Sequence, residues 1–401
     1  MENLGVTADF WSGKRVFLTG HTGFKGSWLA VWLHKLGADV TGFSLEPNTQ
    51  PNHFEALKLD SAITSVLGDI RDLEHLRSSM VAANPDIVLH LAAQPLVRES
   101  FDNPIDTYAT NVMGTANVLE SVRDCPSVKS VVMITTDKVY ENKEWEWGYR
   151  EDDRLGGFDP YSNSKACSEL VTASYTQSFF NSDDYGTHGV AIATARAGNV
   201  FGGGDWAKDR LIPDLVRAHA AKVAPVIRYP GAVRPWQHVL EPLSGYLVLA
   251  RALYEHGPRF NGAYNFGPRD TDAQTVKTIC EIVTGILGDA QKWVLDDAVN
   301  PHEAGHLKLD ISKAKARLGW EPKTDLDQGL TLAGEWYKNF AAGADAMELT
   351  LRDIAAFEAL SYALPAHAVC SAGWIGFAHA HGNCDRASRV REFPRTASVV
   401  D

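Results

Sequence analysis

The sequence predicts an α/β fold, an open, doubly wound parallel sheet with a smaller C-terminal lobe. Three observations carry this. Short apolar runs alternate with helix-periodic stretches from Lys14 to Ala197. A glycine turn joins the first of these runs to the first helix, and the alternation loosens beyond residue 202. The expected division is 11–201 with 236–268 as the sheet domain, 202–235 and 269–345 as the lobe, and 346–401 as a C-terminal helix and disordered tail.

Lys14–Thr19 reads as a buried strand that runs into Gly20-His21-Thr22-Gly23-Phe24-Lys25-Gly26 and a helix to about Leu36. In that order Gly20 permits a tight turn, Gly23 lets backbone approach a pyrophosphate, and Gly26 allows the helix to pack on the strand. The helix N-terminus then faces the phosphates. His21, Thr22, Phe24 and Lys25 ride on the same turn. The second strand, Asp39–Ser44, ends without the acid that usually holds a ribose; the next candidate is Glu46. No arginine follows to hold a 2′-phosphate, which favours NAD over NADP.

A third strand, Thr64–Asp69, delivers Asp69 and Ile70. A fourth, Asp86–Ala93, delivers Ala92, Ala93 and Gln94, and both ends should line the nucleotide crevice. His90, flanked by apolar residues, reads as a core histidine. A helix over 103–122 carries Asn111, whose amide can tie neighbouring segments. The fifth strand, Val128–Thr136, ends in Thr136-Asp137-Lys138, a hydroxyl, a carboxylate and an amine at the edge where parallel sheets bind ligands. The aromatic loop Glu144–Glu151 follows.

Asp159-Pro160-Tyr161 opens the next helix, with proline at its first turn and Lys165 one turn beyond Tyr161. Of the 12 tyrosines, Tyr161 is the one with a lysine four residues on. An ammonium beside a phenol, with a cationic nicotinamide nearby, lowers the phenol pKa, so Tyr161 can take a hydroxyl proton. A sixth strand, Val190–Ala197, leads to Asn199 and a glycine cluster. Lys208–Val223 begins the lobe. Arg228, Arg234 and Trp236 offer cations and an indole suited to a diphosphate and a base. Helix 241–254 and strand 263–266 return to the sheet.

The 401 residues carry a formal charge of −12, which argues against non-specific binding to nucleic acid or an anionic membrane. The five cysteines form no CxxC pair, as suits a reducing compartment, and no metal site is implied. Cys370, His379, His381 and Cys384 match no zinc module. Met1–Ser12 lacks a signal pattern and no apolar run reaches membrane-spanning length, so a cytoplasmic protein is expected.

Taken together, Thr19–Trp28, His90–Arg98, Trp147–Glu151, Asp159–Lys165, Arg196–Arg210 and Arg234–Glu241 resemble the extended short-chain dehydrogenase/reductase family, and within it the nucleotide-sugar 4,6-dehydratases. The likeness spans about Trp11 to Leu360. It implies a Rossmann-type domain, an enzyme with recycled NAD, and CDP-glucose as substrate, converted to CDP-4-keto-6-deoxy-glucose for deoxysugar (O-antigen, lipopolysaccharide) synthesis. By the resemblance, Tyr161, assisted by Lys165 and near Thr136, takes the 4-hydroxyl proton as hydride leaves C4. Asp137, if burial raises its pKa, protonates the departing 6-hydroxyl. Lys138 stands where related dTDP-sugar enzymes have glutamate. It can be the C5 base only when neutral, or else it stabilises the enolate.

The resemblance also assigns the glycine turn, Asp69, Ile70, Ala92, Ala93, Gln94, Tyr161 and Lys165 to NAD. Gln94, Asn199, Arg210, Leu211, Arg234 and His238 go to the substrate, with the arginines on its diphosphate. A homodimer through the Tyr161 helix and the 103–122 helix, possibly a tetramer, is expected. Alternatives are a 4-epimerase, a dehydratase of another nucleotide sugar, and a non-catalytic NAD sensor or scaffold.

Overall fold

The computed structural model describes residues 5–288, 292–296 and 306–360. The four Cys/His positions of the tail lie outside these residues. Seven parallel strands form the central sheet: β1 (Arg15–Thr19), β2 (Asp39–Ser44), β3 (Thr64–Leu67), β4 (Ile87–His90), β5 (Ser130–Ile134), β6 (Ala191–Ala197) and, from much later in the chain, Gly262–Phe266. The spatial order is Gly262–Phe266, β6, β5, β4, β1, β2, β3. The order reverses beside β1, and ligands bind outside the carboxyl ends of strands at such a switch point.

Successive side chains of a strand point to opposite faces, so a sheet buried on both sides needs uninterrupted apolar strands. Leu18, Ile87 and Leu89 enter one core, while Phe17 and Val88 enter the other. The first core holds α1 (Phe24–Lys35), whose eight residues from Gly26 to Leu33 are all buried. Helices Leu73–Ala83 (α2) and Gly114–Arg123 (α3) cover the second face. At the far end of the sheet Arg15 makes a two-pronged ion pair with Asp86, fixing β1 against β4.

The long helix α4 (Pro160–Ser178) starts as its sequence dictates. The Asp159 side chain caps it, accepting from Ser162 N at 2.9 Å, and Pro160 occupies the first turn, where no amide hydrogen is needed. The helix expected over 103–122 is continuous but changes winding: Pro104–Tyr108, a π-helical turn at Ala109–Met113, then α3. Within the π-turn the Asn111 amide reaches Gln94 O (3.1 Å) and Ser164 Oγ (2.8 Å), tying the exit of β4 to α4.

Beyond β6 the chain makes two small sheets. Strands β7 (Asn199–Phe201), β9 (Val233–His238) and Ala273–Thr275 form one, and β8 (Val226–Ile227) pairs with Val294–Leu295 in the other. Helix α5 (Leu240–His256) crosses back under the main sheet. Helix α6 (Leu326–Ala341) packs against β9, and helix α7 (Ala346–Ala359) packs against α6 and closes the outer side of α1. Glu358 accepts from Trp32 Nε1 at 2.8 Å and from Lys35 Nζ at 2.6 Å, and Thr350 Oγ1 lies 3.1 Å from His53 Nε2.

Candidate active site

The turn after β1 is built around contacts that exclude a side chain. Gly20 has φ +81°, and a Cβ there would lie 2.7 Å from Ala92 N; one at Gly26 would lie 2.0 Å from Gly20 O. Gly23, which caps α1, has only Gly20 O within 4 Å of such an atom, at 3.4 Å. No protein atom demands glycine at 23, so the open side of the cradle suits an approaching pyrophosphate at a helix N-terminus.

Other turn residues are committed to the protein. The His21 ring fills the space under Gly42, bonds Ser65 Oγ at 2.7 Å, and is held neutral because burial lowers its pKa to about 4. Thr22 Oγ1 lies 2.8 Å from Ser44 Oγ and donates to Leu45 O, tying the turn to the end of β2. Glu46 is exposed. Asp69 is paired with Arg71, which also reaches Asp106, and Ile70 is buried beneath Gly114.

A cleft of about 990 Å³ opens at the carboxyl ends of β4, β5 and β6, within the size range of small-molecule sites. Phe24, Lys25 and Ala93 form part of its wall, and Thr136, Asp137, Lys138, Tyr161 and Lys165 converge on it. Asn199, Arg210, Leu211 and Arg234 line it from the side of the small sheets.

The Thr136 hydroxyl stands between Asp137 and Tyr161. It donates to Asp137 Oδ1 at 2.9 Å, and its polarity acts to lower the pKa of the Tyr161 phenol. Burial pushes the Asp137 carboxyl pKa up, against the pull of Lys138, Thr136, Arg234 and Lys25. Its Oδ2 would be 2.8 Å from a Cβ at Gly198, so the exit of β6 must be bare for the carboxylate to sit there.

Four expectations are corrected by the structure. The protein's own groups do not lower the Tyr161 pKa: burial pushes it up to about 12, with Thr136 and Arg210 opposing and Asp137 adding to the rise. Lys165 is buried and its Nζ donates to Ile134 O at 2.8 Å, not to the phenol, while burial brings its own pKa down to about 8. His238 does not line the cleft. It is buried beside Trp28 and Phe201, with Nε2 lacking a hydrogen-bond partner among the described residues and a pKa lowered by burial to about 3. Gln94 is likewise spent in its own loop, donating to Thr107 Oγ1 at 2.8 Å and accepting from Leu96 N at 2.5 Å. His90 is the core histidine expected, 2.7 Å from Thr19 Oγ1.

Sequence reasoning placed Lys25 only among the turn residues. Its half-buried amine lies in the cleft wall 3.2 Å from Tyr246 Oη, and burial, Arg210 and Lys165 together lower its pKa to about 7, against the pull of Asp137. Sequence reasoning also missed Glu169, although a carboxylate one helical turn beyond Lys165 is a legible pairing.

The family model described as GDP-mannose 4,6 dehydratase matches residues 17–332. The chain belongs to the GDP-mannose 4,6 dehydratase family. It is 52% identical over 349 residues to the CDP-glucose 4,6-dehydratase of Salmonella typhimurium, covering 87% of this chain and 97% of that one. It is 26% identical over 348 residues to the dTDP-glucose 4,6-dehydratase of Haemophilus influenzae, covering 80% and 97%. Among solved structures, a UDP-glucose 4-epimerase from Stenotrophomonas maltophila with bound NAD superposes with a TM-score of 0.70 at 22% identity, over 82% of this chain and all of the other. A dTDP-glucose 4,6-dehydratase from Bacillus anthracis in complex with NAD gives 0.65 at 22% identity, over 83% and 99%. At this identity the superpositions show the shared fold. No helix among the described residues is long and apolar enough to cross a membrane.

Proposed function

We propose that this member of the GDP-mannose 4,6 dehydratase family is a CDP-glucose 4,6-dehydratase that uses NAD and acts in the cytoplasm. The observation that carries the reading is the buried carboxyl of Asp137, bonded by Thr136 and lining the same cleft as Tyr161. A 4-epimerase needs a tyrosine that handles the 4-hydroxyl proton. Only a dehydratase also needs an acid beside it to release the 6-hydroxyl. The choice of cytidine follows the Salmonella relative.

NAD fits the chain through the open face of Gly23 at the start of α1, with Lys25, Ala93, Tyr161 and Lys165 available along the cleft. When bound, it supplies an acceptor for the C4 hydride and the donor that returns it to C6. Tyr161 accepts the 4-hydroxyl proton; because burial raises its pKa, a positive charge in the cleft is required to make the phenolate accessible near neutral pH. The 4-ketone acidifies C5–H. Asp137, whose pKa burial raises, donates in its protonated form to the 6-hydroxyl as water leaves. Lys138, half-buried at the cleft wall next to it, receives the C5 proton in its neutral form and, once protonated, stabilises the enolate.

Arg210 and Arg234 are suited to the diphosphate and Asn199 to the sugar end, with 202–235 and 269–345 acting as the substrate lobe. The protein works as a homodimer through the 104–123 helices and α4, whose exposed Ile105, Met113 and Leu170 support such a contact.

Incubation with NAD and, separately, CDP-glucose, dTDP-glucose and GDP-mannose, followed by mass spectrometry, tests the reading. Loss of one water from CDP-glucose is expected. Unchanged mass with inverted C4 would make the chain an epimerase, and NAD binding without turnover of any of the three would make it a sensor.

A further inference from the structure

Behind the cleft lies a buried charge cluster that the reaction steps above do not use. Glu169 sits on α4, two turns beyond Tyr161 and one beyond Lys165, with its carboxylate sealed from solvent. Oε1 accepts from Thr135 Oγ1 at 2.5 Å and Arg196 Nε at 2.9 Å; Oε2 accepts from Thr194 Oγ1 at 2.6 Å and Arg196 Nη2 at 2.9 Å. Arg196 in turn donates to Tyr140 Oη at 2.8 Å and Glu151 O at 3.0 Å. Thr135 immediately precedes Thr136 and Asp137. One carboxylate therefore ties the helix bearing Tyr161 and Lys165 to the strand end bearing the proposed acid.

The second observation concerns charge. Lys165 is buried, and among the described residues no carboxylate lies within ion-pair distance of its Nζ. A buried ammonium without a counter-charge tends to lose its proton. Lys25 from α1 and His90 from β4 feel its charge, Tyr161 shares its helix, and Asp137 lines the same cleft. The charge that acts to keep Lys165 protonated is Glu169, which is itself held ionised because Arg196 and the two threonine hydroxyls outweigh the effect of burial.

We propose that Glu169, locked by Arg196, is the positioning residue of the tyrosine–lysine pair, docking α4 on the end of β5 and supplying the counter-charge of Lys165. The proposal rests on the reading of Tyr161 and Lys165 as the redox half of the site, yet its central claim can be measured without turnover.

The full-length protein labelled with ¹³C at lysine Cε, with the Lys165 signal assigned by its loss in Lys165→Arg, gives the titration of that amine directly. Glu169→Gln keeps the shape and removes the charge. The Lys165 midpoint is expected to fall by about one pH unit, and kcat to fall more than tenfold with KM for CDP-glucose little changed. Glu169→Gln strands the Arg196 guanidinium, so the double variant Glu169→Gln/Arg196→Met, which removes both charges, is the partner experiment if the single one does not fold; there the midpoint is expected to fall by less, because the Arg196 cation goes with the carboxylate. A Lys165 midpoint equal to wild type in either folded variant overturns the proposal. Tyr161→Phe run alongside keeps the two ideas apart: retained turnover there would remove the reading of the pair, while the Lys165 titration still decides the role of Glu169.

Discussion

Gly26→Ala is the sharpest test of how the turn is built. The new Cβ would lie 2.0 Å from Gly20 O and 2.7 Å from Gly20 C, both backbone atoms, where ordinary contact begins at 3.4 Å. The start of α1 must therefore move away from the exit of β1 by roughly 1.4 Å, because no flexible side chain can give way. Helix propensity pulls in the opposite direction, since alanine is favoured over glycine within a helix by about 1 kcal/mol. Overpacking of this kind costs about 1–3 kcal/mol, so the net change in stability is small, with a fall in Tm of at most a few degrees. Cofactor binding should suffer far more. Losing one or two hydrogen bonds from the turn to a charged pyrophosphate, each worth about 1.5–3 kcal/mol, weakens NAD by at least about tenfold. Calorimetric titration of NAD, with a thermal melt of the apo protein, checks both. Gly231→Ala, which has nothing within 4 Å and no positive φ, serves as the control. If Gly26→Ala bound NAD like wild type, the cradle would not be the phosphate site.

Three further outcomes are expected. Asp137→Asn should still oxidise C4 but eliminate water about 10²–10⁴-fold more slowly, so the absorbance of the reduced nicotinamide accumulates; normal product formation would displace Asp137 as the acid. Lys138→Ala should lose a similar factor in turnover while retaining C4 oxidation, and full activity would exclude the lysine from the elimination. Lys25 titrates at about 7 in the folded chain and near 10.5 when unfolded. The unfolded chain thus holds the extra proton between those values, and stability rises with pH across that window. Lys25→Met should therefore be more stable than wild type at pH 7, by about 1–3 kcal/mol after allowance for its partial exposure, with the difference shrinking by pH 10. Denaturant melts at both pH values measure this, and a constant difference would refute it.

Local signals made the sheet and most of the cleft legible. The glycine turn, the apolar strands and the Pro160 start of α4 are properties of short segments, and each appears where its residues dictate. Less legible was anything that depends on what lies across the cleft. Whether His238 faces substrate or core depends on Trp28 and Phe201, which come from α1 and β7. The direction of the Tyr161 shift turns on burial and on a lysine amine that finds the carbonyl of Ile134, neither of which a four-residue spacing encodes. The Gln94 side chain is taken up by Thr107, on the helical turn before the π-turn, and by the amide of Leu96, a fold-dependent arrangement its sequence position does not encode.

The bond between Trp32 and Glu358 spans 326 residues of chain. During synthesis at roughly 5–20 residues per second, the stretch between them takes about 16–65 s to emerge. For that interval the outer face of α1, with its indole, has no partner from α7, although the strands on either side of β1 are already made. The segment that carries the glycine turn is thus among the first to be synthesised and among the last to be fully packed. A newly made chain should expose this helix to chaperones or to its neighbours on the polysome until α7 arrives, and a ribosome stalled before Glu358 should hold a sheet on which the helix after β1 is still uncovered.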